Sequence, residues 1–277
     1  MRVGKFIAVI FAVLAATLTL SASPAYAALP TFNKIVVVIE ENHSYSEVIG
    51  NSNAPYITSL ANNGAKMTQS FAVTHPSEPN YLALFSGSTQ GVTDDSCPHT
   101  YSKENLGHQL IAASKSFKGY SESMPSDGYT GCSSGQYARK HNPWVNFTNV
   151  PSTSNLRFSV FPTTFSNLPT VSIVVPNLCN DMHDCSVSTG DTWLKNHLNA
   201  YATWAKNNNS LLLVTFDEDD HSANNRIPTL FYGAHVKTGS YSEHLTHYTV
   251  LRTLESLTGL GCVANSCNVS AITDIWN

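Results

Sequence analysis

The chain has 277 residues, of which 12% are charged, and a formal net charge of -4 at pH 7. No basic run accompanies that charge, which excludes the clustered Lys and Arg that binding to a nucleic-acid backbone requires. Beyond the leader described next, no stretch is apolar enough to span a bilayer, so no integral membrane contact is expected.

At the amino terminus Arg2 and Lys5 precede an apolar run over 6–20, followed by Ser21, Ser23, Pro24 and the triplet Ala25-Tyr26-Ala27. A basic start, a short apolar run and a small-x-small triplet predict a signal peptide over 1–27, cleaved after Ala27, and a secreted domain over 28–277. A membrane anchor would need a longer run and a basic stop-transfer flank.

In the mature chain a β-branched apolar run over 35–39 predicts a buried strand that exits into Glu40-Glu41-Asn42-His43. Pro55 starts a predicted helix over 56–63. Thr74-His75-Pro76-Ser77-Glu78-Pro79-Asn80-Tyr81 then leads into the apolar Leu82, Ala83, Leu84 and Phe85. Pro79 suits a first helical turn, which places Ser77 at or just before a helix N-terminus. Apolar spacing at three and four predicts a helix over 105–117, and the Ser-, Gly-, Pro- and Asn-rich stretch 121–169 is expected to be a long loop insertion. A strand over 171–175, a helix over 192–206, a strand over 211–216 and a helix over 247–257 complete the pattern. Strands alternating with helices predict an α/β fold, a mostly parallel central sheet with helices on both faces.

Six cysteines in an exported chain predict disulfides, and no C-x-x-C spacing suggests a zinc site. Near neighbours are expected to pair, Cys179 with Cys185 and Cys262 with Cys267, leaving Cys97 for Cys132.

Ligands of open parallel sheets bind beyond the carboxyl ends of the strands. There the exit Glu40-Glu41-Asn42-His43 and the exit Asp217-Glu218-Asp219-Asp220-His221 offer hard oxygen ligands for one divalent cation. Either cluster alone is accounted for as a solvated turn. An EF-hand is excluded, because His221 takes the third alternate position, Ser222 replaces the required Gly and Pro228 stands where a Glu should close the loop. Ser77 at a helix N-terminus would have its alkoxide and a phosphoryl oxygen stabilised by the dipole and free amides, although a plain N-cap is the commoner role. Gly131-Cys132-Ser133-Ser134-Gly135 matches the G-x-S-x-G elbow of hydrolases but lacks the strand before and the helix after that the elbow needs.

In their order these motifs resemble the acid phosphatase and phospholipase C branch of the alkaline phosphatase superfamily. Glu41-Asn42 with Ser44 and Tyr45 is similar to its metal motif, and Ser77-x-Pro79-Asn80-Tyr81 with Ser86-Gly87 is similar to the superfamily's nucleophile signature. Asp217-Glu218 is similar to its acidic pair, the stretch 247–255 to its late histidine and helix, and Asp181-Met182-His183-Asp184 to its phosphate-binding histidine region. The resemblance implies an alkaline phosphatase-like fold and one divalent metal ion held by Glu41, Asn42, Ser77, Asp217 and Glu218. A single ion is implied because the two-zinc histidine arrangement of broader superfamily members is missing. Ser77 is implied as the attacking group, while His183 and His247 bind the transferred group or protonate the leaving oxygen. His75, two residues before Ser77, is a further candidate for contact with the phosphate.

The expected function is that of a secreted, metal-dependent acid phosphatase acting on a small-molecule or lipid phosphate monoester through a phosphoserine. One alternative is a phospholipase C type phosphodiesterase using the same site. Another, from a different class, is a secreted calcium-stabilised binding protein in which Ser77 has no role.

Overall fold

Strands made mainly of apolar, β-branched residues on both faces are stable only where both faces are covered, and three such runs form the middle of the sheet. The structure, a computed structural model, describes Met1 and residues 3–4 and 29–277. The apolar run and cleavage triplet of the predicted signal peptide lie outside the described residues. In chain order the strands are β1 Lys34–Glu40, β2 Ala65–Met67, β3 Ser70–Phe71, β4 Phe117–Ser121, β5 Ser133–Ser134, β6 Tyr137–Ala138, β7 Asn155–Arg157, β8 Val171–Val175, β9 Ser210–Phe216, β10 Thr229–Gly233, β11 Gly239–Tyr241 and β12 Leu245–Thr246. The α-helices are α1 Tyr45–Val48, α2 Pro55–Asn62, α3 Ser77–Ser86, α4 Leu106–Ala112, α5 Val187–Asn207 and α6 His247–Leu257.

The main sheet has eight strands in the order β11-β2-β10-β9-β1-β8-β4-β7. Its centre from β9 through β7 is parallel, and β10 runs antiparallel to both β9 and β2. Alternation along β1 divides the core. Ile35, Val37 and Ile39 pack with Leu82 and Phe85 of α3, Leu110 of α4 and Leu254 of α6. Val36 and Val38 face the other way, onto Ile57 of α2 and Leu194, Leu198 and Tyr201 of α5. Helices therefore cover both faces, as expected. No described helix is long and apolar enough to cross a membrane.

All three disulfides pair as expected, Cys97–Cys132, Cys179–Cys185 and Cys262–Cys267. Three local expectations need correction. The predicted helix over 105–117 stops at Ala112, because the chain turns through Ser114 at a φ of 57° and Phe117 opens β4 instead. α5 begins earlier than predicted, at Val187, with the Ser186 hydroxyl accepting the Thr189 N–H (3.3 Å). The stretch 121–169 is more than an insertion, since it supplies the edge strand β7 and carries His141, which is 1% exposed, into the interior.

Candidate active site

Strand register brings the acidic exits together. Val38 pairs with Val174 on one side and Val214 on the other, and Glu40 pairs with Phe216. The segments after β1, β8 and β9 therefore leave the sheet side by side, where open sheets of this kind bind ligands. They are tied by backbone bonds, Asp217 N–H donating to the Glu40 carbonyl (3.0 Å) and Glu41 N–H to the Asp181 carbonyl (2.8 Å).

α3 meets these exits with its N-terminus, and Ser77 is its first residue. Asn80 sets that approach. Its Oδ1 accepts the N–H groups of Val73 and Thr74, and its Nδ2 donates to the carbonyls of Thr74 and Pro76, which folds the loop before the serine onto the helix. Ser77 is not an N-cap, because Pro76 occupies that position. Instead its hydroxyl lies 3.1 Å from Glu41 Oε2 and 3.2 Å from Glu218 Oε1.

Asn42, at a φ of 50°, turns the chain so that its N–H donates to Asp217 Oδ1 (3.2 Å). With its nitrogen inward, its amide donates to Glu41 (2.9 Å) and Glu218 (3.2 Å); with its oxygen inward, it would face carboxylates alone. Glu41, Asn42, Ser77, Asp217 and Glu218 thus converge from three elements. The concentration of acid is costly without a cation. Burial, then Asp217 and Asp181, push the Glu41 carboxyl well above its ordinary range; burial and then Glu218 do the same to Asp217. Burial pushes Asp181 up to about 8. Asp217 Oδ2 and Asp181 Oδ2 are buried with no hydrogen-bond partner. Orphaned hard oxygens of this kind, in a set of oxygen donors, suit a divalent cation.

Histidines occupy distinct places. His183 is 28% exposed at the rim, its N–H bonded to Asp181 Oδ1 (2.9 Å) and its Nδ1 to Asp184 Oδ1 (2.7 Å). One nitrogen of His183, one of His141 and an oxygen of Glu41 lie within 4.8 Å of one another, a second arrangement that could hold a metal ion. His247 sits deeper. Its Nε2 donates to the Asp217 carbonyl (2.6 Å), it makes no hydrogen bond to Ser77, and burial pushes its pKa down to about 4. This geometry suits orienting the Asp217 loop better than donating a proton. His75 has both ring nitrogens against carboxylates, Nδ1 on Glu218 and Nε2 at 3.2 Å from Asp219 Oδ1, and it stacks on His221 at 3.8 Å. Ser133 lies on the exposed hairpin β5–β6, far from any elbow geometry.

Sequence reasoning missed His141 and the roles of Tyr81 and Lys140. His141 Nε2 is 3.2 Å from Glu41 Oε1 and its Nδ1 is 3.3 Å from Asp181 Oδ2. Burial, then Lys140 and His183, hold its pKa well below the usual imidazole value. Tyr81 stacks on that ring at 5.1 Å and donates its hydroxyl to Glu41. Lys140 binds Asp95 Oδ2 (2.8 Å), while Asp95 Oδ1 accepts the Glu78 N–H (3.0 Å), so a cation is fastened at the N-terminus of the serine helix. The one available signal was Arg139-Lys140-His141 beside the apolar Pro143-Trp144-Val145, a basic turn flanked by residues that need burial.

The chain is similar to known proteins over most of its length. A profile of the phosphoesterase family matches residues 51–261. A phosphatidylinositol-3-phosphatase of Mycobacterium tuberculosis is 55% identical, over 99% of this chain and 95% of that protein. An acid phosphatase of Aspergillus fumigatus is 32% identical over 83% of this chain, which spans 55% of the fungal protein's length. Among solved structures, a protein of the alkaline phosphatase superfamily from Vibrio parahaemolyticus shares the fold at a TM-score of 0.61 and 12% identity, over 90% of this chain and 72% of that one.

Proposed function

We propose, from the premise that this chain belongs to the phosphoesterase family and is a phosphoric monoester hydrolase, that it is a secreted, metal-dependent acid phosphatase working through a phosphoserine on Ser77. The observation that carries the reading is the buried Ser77 hydroxyl, at the N-terminus of α3 and within 3.1 and 3.2 Å of two carboxylates. Glu41, Ser77, Asp217 and Glu218, together with Asn42 once its amide oxygen turns inward, would hold one divalent ion. Bound there, the ion would make the serine a stronger nucleophile and offset phosphoryl charge.

Ser77 gives its proton to one of its carboxylate partners and attacks phosphorus, the bond to the leaving oxygen breaks, and His183 at the rim protonates that oxygen. Water, deprotonated by the same histidine, then attacks the phosphorus, the bond to the Ser77 oxygen breaks, and that oxygen takes its proton back from the carboxylate as phosphate leaves. Lys140 and the positive end of the α3 dipole provide the favourable charge that a dianion needs. A diester has fewer charged oxygens to offer them. Because an imidazole donates only when protonated, mildly acidic conditions favour turnover. Export is supported by the three disulfides, which persist in oxidising compartments. The mature domain would then span 28–277. By the likeness to the mycobacterial phosphatidylinositol-3-phosphatase, the substrate is a phosphoinositide monoester.

The test compares initial rates on p-nitrophenyl phosphate and its bis ester between mildly acidic and alkaline pH, with acid quenching and mass spectrometry of the peptide containing Ser77. Faster monoester cleavage on the acid side and a phosphorylated Ser77 are expected. Equal or faster diester cleavage promotes the phosphodiesterase alternative, and a Ser77→Ala variant with full activity removes the mechanism.

A further inference from the structure

Along the outer face of α5 runs a trough that begins beside the catalytic loops and becomes more apolar away from them. Its near part, of about 490 Å³, is lined by Asn180, Ser188, Thr189, Thr192 and Trp193. Its far part, of about 510 Å³, is lined mainly by Phe158, Phe161, Pro162, Phe165 and Ala200, with Ser159 and Thr163 among them. Asn196 and His197 line both, so the two adjoin along α5. The near end is tied to the site: Asn180 Nδ2 (2.9 Å) and Trp193 Nε1 (3.0 Å) both donate to Glu122, and Asn180 adjoins Asp181 in the loop that carries His183. From Ser188 to Ala200 the helix rises about 18 Å.

The far end is apolar without being closed. Val160 is 43% exposed on the loop that forms its wall. Phe158 packs on Phe161 (5.3 Å) and Trp193 (5.1 Å), and Phe165 on Trp204 (5.8 Å), yet all three phenylalanines stay only partly buried. An apolar groove by itself names no occupant. Here the order of chemistry does: a phosphate-cleaving centre, then hydroxyl and amide groups, then aromatic rings. An amphiphile whose phosphate, polar headgroup and hydrocarbon follow in that order is complementary to it.

We propose that this trough receives the hydrocarbon end of a lipid phosphate monoester whose phosphate sits at Ser77. The proposal rests on the phosphatase reading of that centre. It makes Phe158, Phe161, Phe165 and Ala200 determinants of substrate preference, outside the catalytic machinery.

The test uses the full-length mature protein and a series of linear alkyl phosphates of rising chain length, each below its micelle concentration, with p-nitrophenyl phosphate as the tail-free reference. In the wild-type protein kcat/KM should rise with chain length by up to about 4-fold for each methylene buried. Ala200→Glu, on the exposed face of α5, should flatten that rise and leave turnover of p-nitrophenyl phosphate unchanged. Val160→Asp should act in the same direction. A flat series in the wild type, or a rise that survives Ala200→Glu, overturns the proposal. If the rise survives while Ala200→Glu halves the mass seen by light scattering, the trough is an interface with a second copy and the proposal is again overturned. Absence of turnover of p-nitrophenyl phosphate by the wild type would instead remove the phosphatase reading, and this proposal with it.

Discussion

Tyr81→Phe isolates the support of the proposed metal site from the chemistry performed there. Tyr81 is 1% exposed, stacks on His141 at 5.1 Å and 11°, and donates its hydroxyl to Glu41. Phenylalanine keeps the ring, its stack and nearly all of its volume, so the loss is one hydrogen bond to a buried carboxylate. Bonds of that kind contribute about 2 kcal/mol, roughly a 30-fold change in an equilibrium constant. If that loss falls on cation affinity, it sits within the range of about 10- to 100-fold typical for groups that orient metal ligands. A pH dependence follows from the same bond. Burial, and then Glu41, push the Tyr81 phenol above its ordinary value, so it remains a donor, and its hydrogen bond draws the Glu41 carboxyl down. Without it Glu41 holds its proton to higher pH, and protons compete more strongly with the cation on the acid side. The assay strips the enzyme with chelator, restores the cation stepwise at two pH values and records the half-activating concentration and the saturated rate. A rise of about 10- to 100-fold in that concentration is expected, larger at the lower pH, with the saturated kcat changed only a few-fold. An unchanged cation requirement combined with a collapsed kcat would place Tyr81 in the chemistry and refute this reasoning.

Three further outcomes are expected. Asp217→Asn should empty the site by elemental analysis and, because it removes a buried charge, raise the melting temperature of the chelated protein; retained metal or a lower melting temperature would contradict the site as described. Chelated wild-type protein should be less stable at neutral pH than near pH 5. Glu41 and Asp217 are raised well above their unfolded values and Asp181 to about 8, so their neutral forms favour the fold below about pH 4, and that contribution is lost as pH climbs towards about 8. Added cation should flatten the slope, and melting curves from pH 5 to 8 that coincide with and without chelator would refute the coupling. Gly119→Ala should cost about 3 kcal/mol in denaturant unfolding, since a β-carbon there would stand 2.1 Å from the buried Trp144 ring, and a loss under about 1 kcal/mol would mean that the ring moves freely.

Strands β1, β8 and β9 were legible because a strand buried on both faces is built mainly of β-branched and apolar residues, and that is a local property. The same holds for the acidic exits, which follow directly from where those runs stop. α5 was legible only from Thr192 because its first turn, Val187-Ser188-Thr189-Gly190-Asp191, has no apolar period and is started by the Ser186 cap. Phe117 was assigned to a helix because an apolar residue at helical spacing carries no sign of a turn at Ser114. His141 was missed for a different reason. It is placed by the distant Tyr81 stack and the bond of Arg139 to the His99 carbonyl, with nearer bonds to the Thr130 and Val145 carbonyls, and the basic turn beside an apolar run hints at burial without saying against what. His247 was legible as the start of a helix, but its bond to the Asp217 carbonyl depends on where a strand from another part of the chain ends.

The bridge Cys179–Cys185 brackets Asp181 and His183 in a closed ring with a sequence separation of 6. Closing so short a ring removes about 2 kcal/mol of chain freedom, comparable to the hydrogen bonds that hold the loop to Glu41. Opened by thiols, that loop would lose its brace while the sheet beneath it stayed folded. The position of His183 thus depends on the redox state of two cysteines that take no part in the proposed chemistry.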